Sequence, residues 1–220
     1  MTRDEGVALI KQQLQGRTTL DNDIVTYMQL AQTTLEYGPT KPWFLVETTV
    51  TMATVANQTY VPIPTGFITE VDDGTMIYRP DDWPTSAEVE LWKDEYDVLR
   101  KYFASWEEEN PSSAAEPQAY ALMGERFYIF PTPDAVYTLY PTFYKKDTVL
   151  DTNVENQWLK HVPLLLLGSA GQLIAPGPLR DGGAAGVFSQ WIKTGLGILQ
   201  QMETDRDMKN RKLAVGGPAW

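Results

Sequence analysis

Apolar residues recur every three or four positions at both ends of this 220-residue chain and every second position through its middle. The first period is that of a helix and the second that of a strand, so the chain predicts helices flanking an inserted block of strands. Val7, Ile10 and Leu14 share a helical face behind Thr2 or Asp4 as cap, and Gly16 closes the segment. A second helix opens among Asp21, Asn22 and Asp23 and carries Ile24, Tyr27, Met28, Ala31 and Leu35 on one stripe. It stops at Gly38 and Pro39. Such a stripe reads as a core face rather than a cofactor box. From Glu155 the helical period returns: Trp158, Leu159, Val162, Leu165, Leu166, Ala170 and Leu173 form a wide apolar surface with Pro163 near the first turns, and predict a deeply buried helix. PGPLRDGGAAG reads as a connection to a last helix that buries Phe188, Trp191, Ile192, Leu196 and Leu199 before a polar tail.

Alternation begins after Pro42, where Val46, Thr48, Val50, Met52 and Thr54 share one parity and predict a strand. Asn57 and Gln58 suggest a turn, and Pro62 and Pro64 keep the following Tyr60–Ile63 run off the middle of a sheet. Phe67–Val71 and Thr75–Tyr78 read as two short strands joined by Asp72, Asp73 and Gly74. An acidic helix near 84–109 then carries Trp92, Tyr96, Leu99, Phe103 and Trp106 at spacings of four and three. Between Asp81 and Glu116 eleven acidic residues face three basic ones, so this segment holds −8 of the formal net charge of −11. It reads as a solvated acidic face rather than a metal site. NPSSAAEPQA reads as a linker or mobile loop. Phe127–Phe130 and Val136–Tyr144 flank PTPDA and read as a β-hairpin. In its second arm Tyr137, Leu139 and Phe143 take one face while Val136, Thr138, Tyr140 and Tyr144 take the other. A strand with apolar bulk on both faces is held between two layers or covers itself against another molecule.

Several chemistries are excluded or unsupported. Gripping DNA requires clustered Lys and Arg, whereas 18 basic residues here oppose 29 acidic ones. The absence of cysteine removes disulfides, thiolate zinc sites and a cysteine nucleophile together. His161 is the single histidine, and no Asp and nucleophile are marked to complete a triad with it. GPLRDGGAAG lacks the GKS ending of a phosphate loop and the glycine spacing of a dinucleotide fold. Asp94, Glu95 and Asp97 are the nearest approach to a glycosidase pair, but they fall within one turn of an acidic surface segment. Neither catalytic residues nor a cofactor or metal are expected. The Val162–Ala175 window is too short to cross a bilayer, and the N-terminus lacks an apolar signal core, so a soluble intracellular product is expected.

The order of the parts resembles the head-to-tail adaptor proteins of tailed bacteriophages, including the tail tubular A type of short-tailed phages. The resemblance runs over roughly residues 2–206. It rests on FLVETTVTMATVANQTYVPIPTGF, DDGTMIYRP, GERFYIFPTPDAVYTLYPTFYKKDTVLDTN and NQWLKHVPLLLLGSAGQLIA. It implies a non-enzymatic ring, commonly of twelve subunits, bound beneath the portal and continuing the DNA channel to a tail nozzle or tail tube protein. DNA would pass through without specific binding. Such a ring belongs to the virion neck, assembles in the host cytoplasm and needs no membrane. The expected fold is α+β: terminal α-helices forming a bundle, with an inserted, mainly antiparallel β module. Residues 1–45 with 155–206 would be the helical ring-forming part, 46–154 the β module and 207–220 an extended C-terminal arm. Met208, Lys209, Arg211, Lys212, Leu213 and Trp220 would be the portal-binding residues of that arm. Phe127, Tyr128, Tyr137, Tyr140, Phe143 and Tyr144 would meet a neighbouring subunit or tail protein. The alternative use of exposed aromatic residues is a carbohydrate-binding module.

Overall fold

The computed structural model describes residues 1–14, 21–79, 88–109, 114–151, 154–176, 179 and 181–215, leaving aside the side chains of 21–22, 72–73, 105–109 and 207–215. The chain divides into two compact units, Met1–Leu45 with Asp147–Trp220 and Val46–Lys146.

In the first unit, Thr2 caps α1 (Arg3–Gln13). Its hydroxyl accepts from the Glu5 N–H at 3.2 Å, and the Glu5 carboxylate accepts from the Thr2 N–H at 2.9 Å. This reciprocal box gives partners to donors that a helix start leaves bare. Helix α2 (Asp21–Glu36) buries Ile24, Met28 and Ala31. Lys41 Nζ closes its far end by donating to the Glu36 and Gly38 carbonyls at 2.6 and 2.8 Å. Gly16 lies outside the described residues, as do the side chains of Asp21 and Asn22.

The expected single helix after Glu155 is two, α4 (Gln157–His161) and α5 (Pro163–Ile174). Val162 leaves helical geometry at φ −136° and ψ 57°, and Pro163 starts α5 where its missing N–H has no intrahelical acceptor to lose. Trp158, Leu159, Val162, Leu165, Leu166 and Ala170 are buried, whereas Leu173 is exposed. Helix α6 (Gly182–Val215) begins inside the glycine-rich connection, because Asp181 Oδ1 accepts from the Ala184 N–H at 3.0 Å and caps it there.

Helices α5 and α6 cross with almost no side-chain spacer. A Cβ on Gly168 would sit 2.9 Å from the Ile192 nitrogen, and one on Gly195 would sit 2.5 Å from the Leu165 nitrogen. Gly171 lies against the Phe188 ring, itself fully buried. Because Gly195 makes the contact, the next residue, Leu196, turns outward and is exposed instead of buried.

The link into α4 belongs to this unit, eight residues earlier than the expected boundary after 154. Hydrogen bonds explain the shift. Glu36 Oε1 accepts from the Asp147 N–H at 3.0 Å, the Gln32 amide donates to Glu36 and to the Thr148 carbonyl, and the Asn156 amide donates to Gln32 and the same carbonyl. Asp147 Oδ2 then accepts from the Gln157 and Trp158 N–H groups at 2.6 and 3.2 Å, so its carboxylate serves the positive end of α4.

Among the described residues, the second unit forms two sheets. One runs β1 (Val46–Glu47), β9 (Thr138–Lys145), β4 (Phe67–Tyr78), β5 (Val89–Glu90), with β2 (Met52–Ala53) also on β9. The other runs β3 (Tyr60–Pro62), β8 (Arg126–Phe130), β7 (Ala119–Met123), β6 (Trp92–Lys93). All pairs are antiparallel except β6 with β7. Met52, Val61, Met76, Tyr78, Tyr120, Phe127, Ile129 and Leu139 form a core to which both sheets contribute. Helix α3 (Tyr96–Glu109) covers the other face of the second sheet, packing Leu99 and Phe103 on Ala119 and Ala121.

Four expectations for this unit are corrected. The strand from Val46 is interrupted between β1 and β2, where the Glu47 carboxylate accepts from the Thr49 N–H and hydroxyl, and it resumes along β9 one residue out of register. Residues 67–78 are one strand, with a bulge between Glu70 and Thr75 where a turn was expected at Asp72–Gly74. Trp92 belongs to β6 and not to the helix, which begins at Tyr96. The aromatic stretch is not a hairpin: β8 and β9 lie in different sheets, and PTPDA crosses between them, with the Asn57 N–H donating to the Pro133 carbonyl. The true hairpin joins β7 to β8 through Gly124 and Glu125, with Met123 opposite Arg126 and Gly124 at φ +62°.

The crossing of α5 and α6 yields a sign test. Gly195→Ala forces Leu165 backbone aside and lowers stability by about 1–3 kcal/mol. Gly197→Ala, whose Cβ meets open space, raises it by about 0.5–1 kcal/mol. Thermal unfolding followed by circular dichroism gives opposite shifts for the two.

Candidate docking surfaces

The residues expected to meet partners divide sharply once placed. Phe127 and Phe143 are fully buried in the β unit, so they are core and not contact residues: each points from its strand into the space shared with the opposite sheet. Tyr128, Tyr137, Tyr140 and Tyr144 are half-buried. Tyr128 packs edge-on against Tyr96 of α3 at 4.7 Å between centroids. Tyr137 meets Tyr78 edge-on and donates its hydroxyl to Asp134 at 2.6 Å. Tyr140 lies under the Arg79 guanidinium at 4.3 Å. These four sit on two sheets and make no single shared face.

The arm expected to be extended from residue 207 is helical in backbone through Val215. Met208, Lys209, Arg211, Lys212 and Leu213 therefore lie on α6, and Trp220 lies outside the described residues.

Other exposed apolar groups were missed because their neighbours in sequence looked like core. Leu30 on α2 and Tyr37 just past its end are 50% and 55% exposed, while Val187, Leu196 and Ile198 emerge from α6. In the β unit Trp92 and Tyr102 are 48% and 61% exposed, with ring centroids 5.8 Å apart and planes perpendicular, and Val98 lies one turn before Tyr102. The signal for Tyr102 was available: it falls off the α3 stripe marked by Tyr96, Leu99 and Phe103.

The β3 edge of the second sheet discourages further strand pairing. Pro62 removes a donor from β3, and the Gln58 amide donates to the Tyr60 carbonyl at 2.8 Å.

Titratable groups serve packing. Glu70 accepts from the Tyr120 hydroxyl at 2.7 Å and pairs with Lys93 at 2.8 Å. Burial first, and then the Glu70 carboxylate, push the Tyr120 phenol upward and keep it a donor. Gly74, at φ +87°, lies against all three side chains, so the bulge leaves room for no Cβ. Burial raises the Asp147 carboxyl, opposed by its backbone donors. Burial lowers His161, reinforced by Lys160 and opposed by Glu155 and Asp147. The His161 ring stacks on Phe44 at 5.0 Å and meets Trp43 edge-on at 5.2 Å. Asp94 and Glu95 precede α3 and Asp97 lies in its first turn, with Glu95 and Asp97 exposed and Asp94 half-buried. Among the described residues no group of three or more His, Asp or Glu side chains is placed to hold a metal, and no helix is long and apolar enough to cross a membrane.

Each unit therefore presents a packed core with exposed apolar side chains left over at its surface. A sequence model described as SU10 adaptor protein matches residues 1–215. The chain belongs to this phage head-to-tail adaptor family. No curated protein matches it. The family match spans both units and reaches the helical end of α6, so the β unit is part of the adaptor rather than an appended module. It makes this adaptor a structural component of a bacteriophage virion, at the junction of head and tail.

Because the folded state lowers the His161 imidazole, the unfolded chain binds the proton more tightly. The stability that neutral His161 contributes is full above the ordinary value near 6.5 and is lost as pH falls through the lower folded value. Melting curves from pH 8 to 5 will show wild type losing stability relative to His161→Gln, with divergence starting below about pH 6.5. Parallel curves across that range would exclude His161 as the source.

Proposed function

We propose that this adaptor forms a ring, of about twelve copies as the family resemblance implies, docked on the portal and continuing the DNA ejection channel toward the tail nozzle. The observation that carries the reading is the family match over both units. Physical features support it. A ring joins two different faces of each subunit, and large apolar side chains stay exposed along both α2 and α6: Leu30, with Tyr37 just past the helix end, and Val187, Leu196 and Ile198. In this reading the helices of the first unit form the ring-building bundle. Tyr128, Tyr140 and Tyr144 add partial surface from the β unit for a subunit or tail-protein contact. A net charge of −11 suits a conduit that repels DNA phosphate and lets the duplex slide.

The C-terminal segment Met208–Trp220 carries Lys209, Arg211 and Lys212 and no acid, and in this reading it is the portal-binding element. Its backbone is helical as far as Val215.

Mixing purified protein with the portal of its own phage, followed by native mass spectrometry, will give a portal complex carrying a multiple of this chain. Two components that never associate would overturn the assignment; a monomer alone would not, since the portal serves as template. Deleting Met208–Trp220 will remove only the far-ultraviolet ellipticity of helical residues 208–215 and leave the melting temperature unchanged, while portal binding falls about tenfold or more, the loss of several charged contacts. Undiminished docking would remove the segment from the interface.

A further inference from the structure

We propose that, before the portal is met, the basic C-terminal segment of one copy is parked on the acidic aromatic patch of another copy's β unit. This rests on the reading of Met208–Trp220 as a docking element and adds a regulation to it. The patch is Trp92 on β6 with Val98 and Tyr102 on α3, all at least 43% exposed. Glu90, Glu95 and Asp97 are exposed around it and Asp94 is half-buried. Arg100 and Lys101 also lie on α3, while Lys93 is occupied by Glu70. The wider segment from Asp81 to Glu116 carries −8.

Complementary chemistry occurs elsewhere in the chain. From Met208 onward there are three cationic side chains, no carboxylate side chain, and the apolar Leu213, Val215 and Trp220. Arg211 or a lysine over the Trp92 or Tyr102 face makes a cation–π contact, and the surrounding carboxylates add charge-assisted hydrogen bonds. A second copy is the fitting source. Among the described side chains of α6, which run to Arg206, the last buried one is Leu199, followed by half-buried Met202 and Glu203, and the backbone stays helical to Val215, about 18 Å beyond Glu203. Parking would cover the segment's apolar groups and hold free copies together loosely until a portal competes for it.

The test is zero-length carbodiimide cross-linking of the full-length protein at low salt, without portal, in an equal mixture of unlabelled and nitrogen-15-labelled copies. Mixed-isotope peptides joining Lys209 or Lys212 to Asp94, Glu95 or Asp97 are expected, with a yield falling about five-fold in Trp92→Ala/Tyr102→Ala. Cross-links confined to single-isotope pairs, coupling only to other carboxylates, or a yield unmoved by the double variant would each overturn the proposal. A labelled peptide of residues 207–220 offers a check that does not depend on that variant's folding: it binds the wild-type protein, and its Lys209→Glu/Arg211→Glu/Lys212→Glu form does not. Equal binding of both peptides would overturn the charge match. Failure to bind portal would sink the adaptor reading while leaving these cross-links in place.

Discussion

The close approach of α5 and α6 organises the helical unit. Gly168 and Gly171 on one helix and Gly195 on the other bring backbone to within a hydrogen's width of side-chain exclusion, and the fully buried Phe188 fills the space that remains. Since α5 also meets α1, α2 and α4, fixing its position against α6 fixes the stage on which the others pack. The outward turn of Leu196 follows from the same contact. A glycine at the closest point leaves the apolar residue beside it without a place in the core, so tight packing within the helical unit creates exposed apolar surface.

The β unit solves the opposite problem. Its aromatic residues are too bulky for one thin layer, and the chain distributes them over three. Phe127 and Ile129 point toward the first sheet, Tyr128 and Phe130 toward α3, and Phe143 and Leu139 point back from the first sheet into the shared core. Both faces of β8 are therefore covered within the subunit. On β9 the face of Leu139 and Phe143 is likewise covered, whereas Tyr140 and Tyr144 on its other face stay half-buried.

Period was legible in the sequence and pairing was not. The caps of α1, the α2 stripe and the edge position of Pro62 each depend on residues a few positions apart, and each appears where the local pattern put it. The partner of a strand depends on contacts far along the chain. PTPDA carries turn chemistry, yet the chain crosses there between sheets, while the less conspicuous Gly124–Glu125 makes the hairpin. Asp72–Gly74 was misread for a related reason: a glycine at positive φ serves a bulge as well as a turn, and only the burial of Glu70 beside Tyr120 and Lys93 selects the bulge. Trp92 kept helical spacing with Tyr96 by coincidence across a strand end. Candidate surface residues were hardest to read, because an aromatic side chain in a strand has the same signature whether its face meets another sheet or solvent.

The junctions between units show how an insertion of 101 residues is tolerated by a helical framework. The chain enters the β unit at Val46 and leaves it at Lys146, and these ends are held side by side because Val46 is paired with Tyr144 and Glu47 with Phe143. The first unit thus sees two neighbouring strand ends in place of a long open loop, which spares it most of the closure entropy of that length. On the return side, Asp147, Thr148 and Asn156 are bound to Gln32 and Glu36 of α2, so the chain is captured by the helical unit as soon as it leaves the sheet. Each unit therefore closes its own core, and the solvent-facing residues of α3 and β6 in the β unit lie outside both cores. A surface released in that way from any duty to the fold is available for recognition, and in this chain it is the stretch with the greatest excess of negative charge.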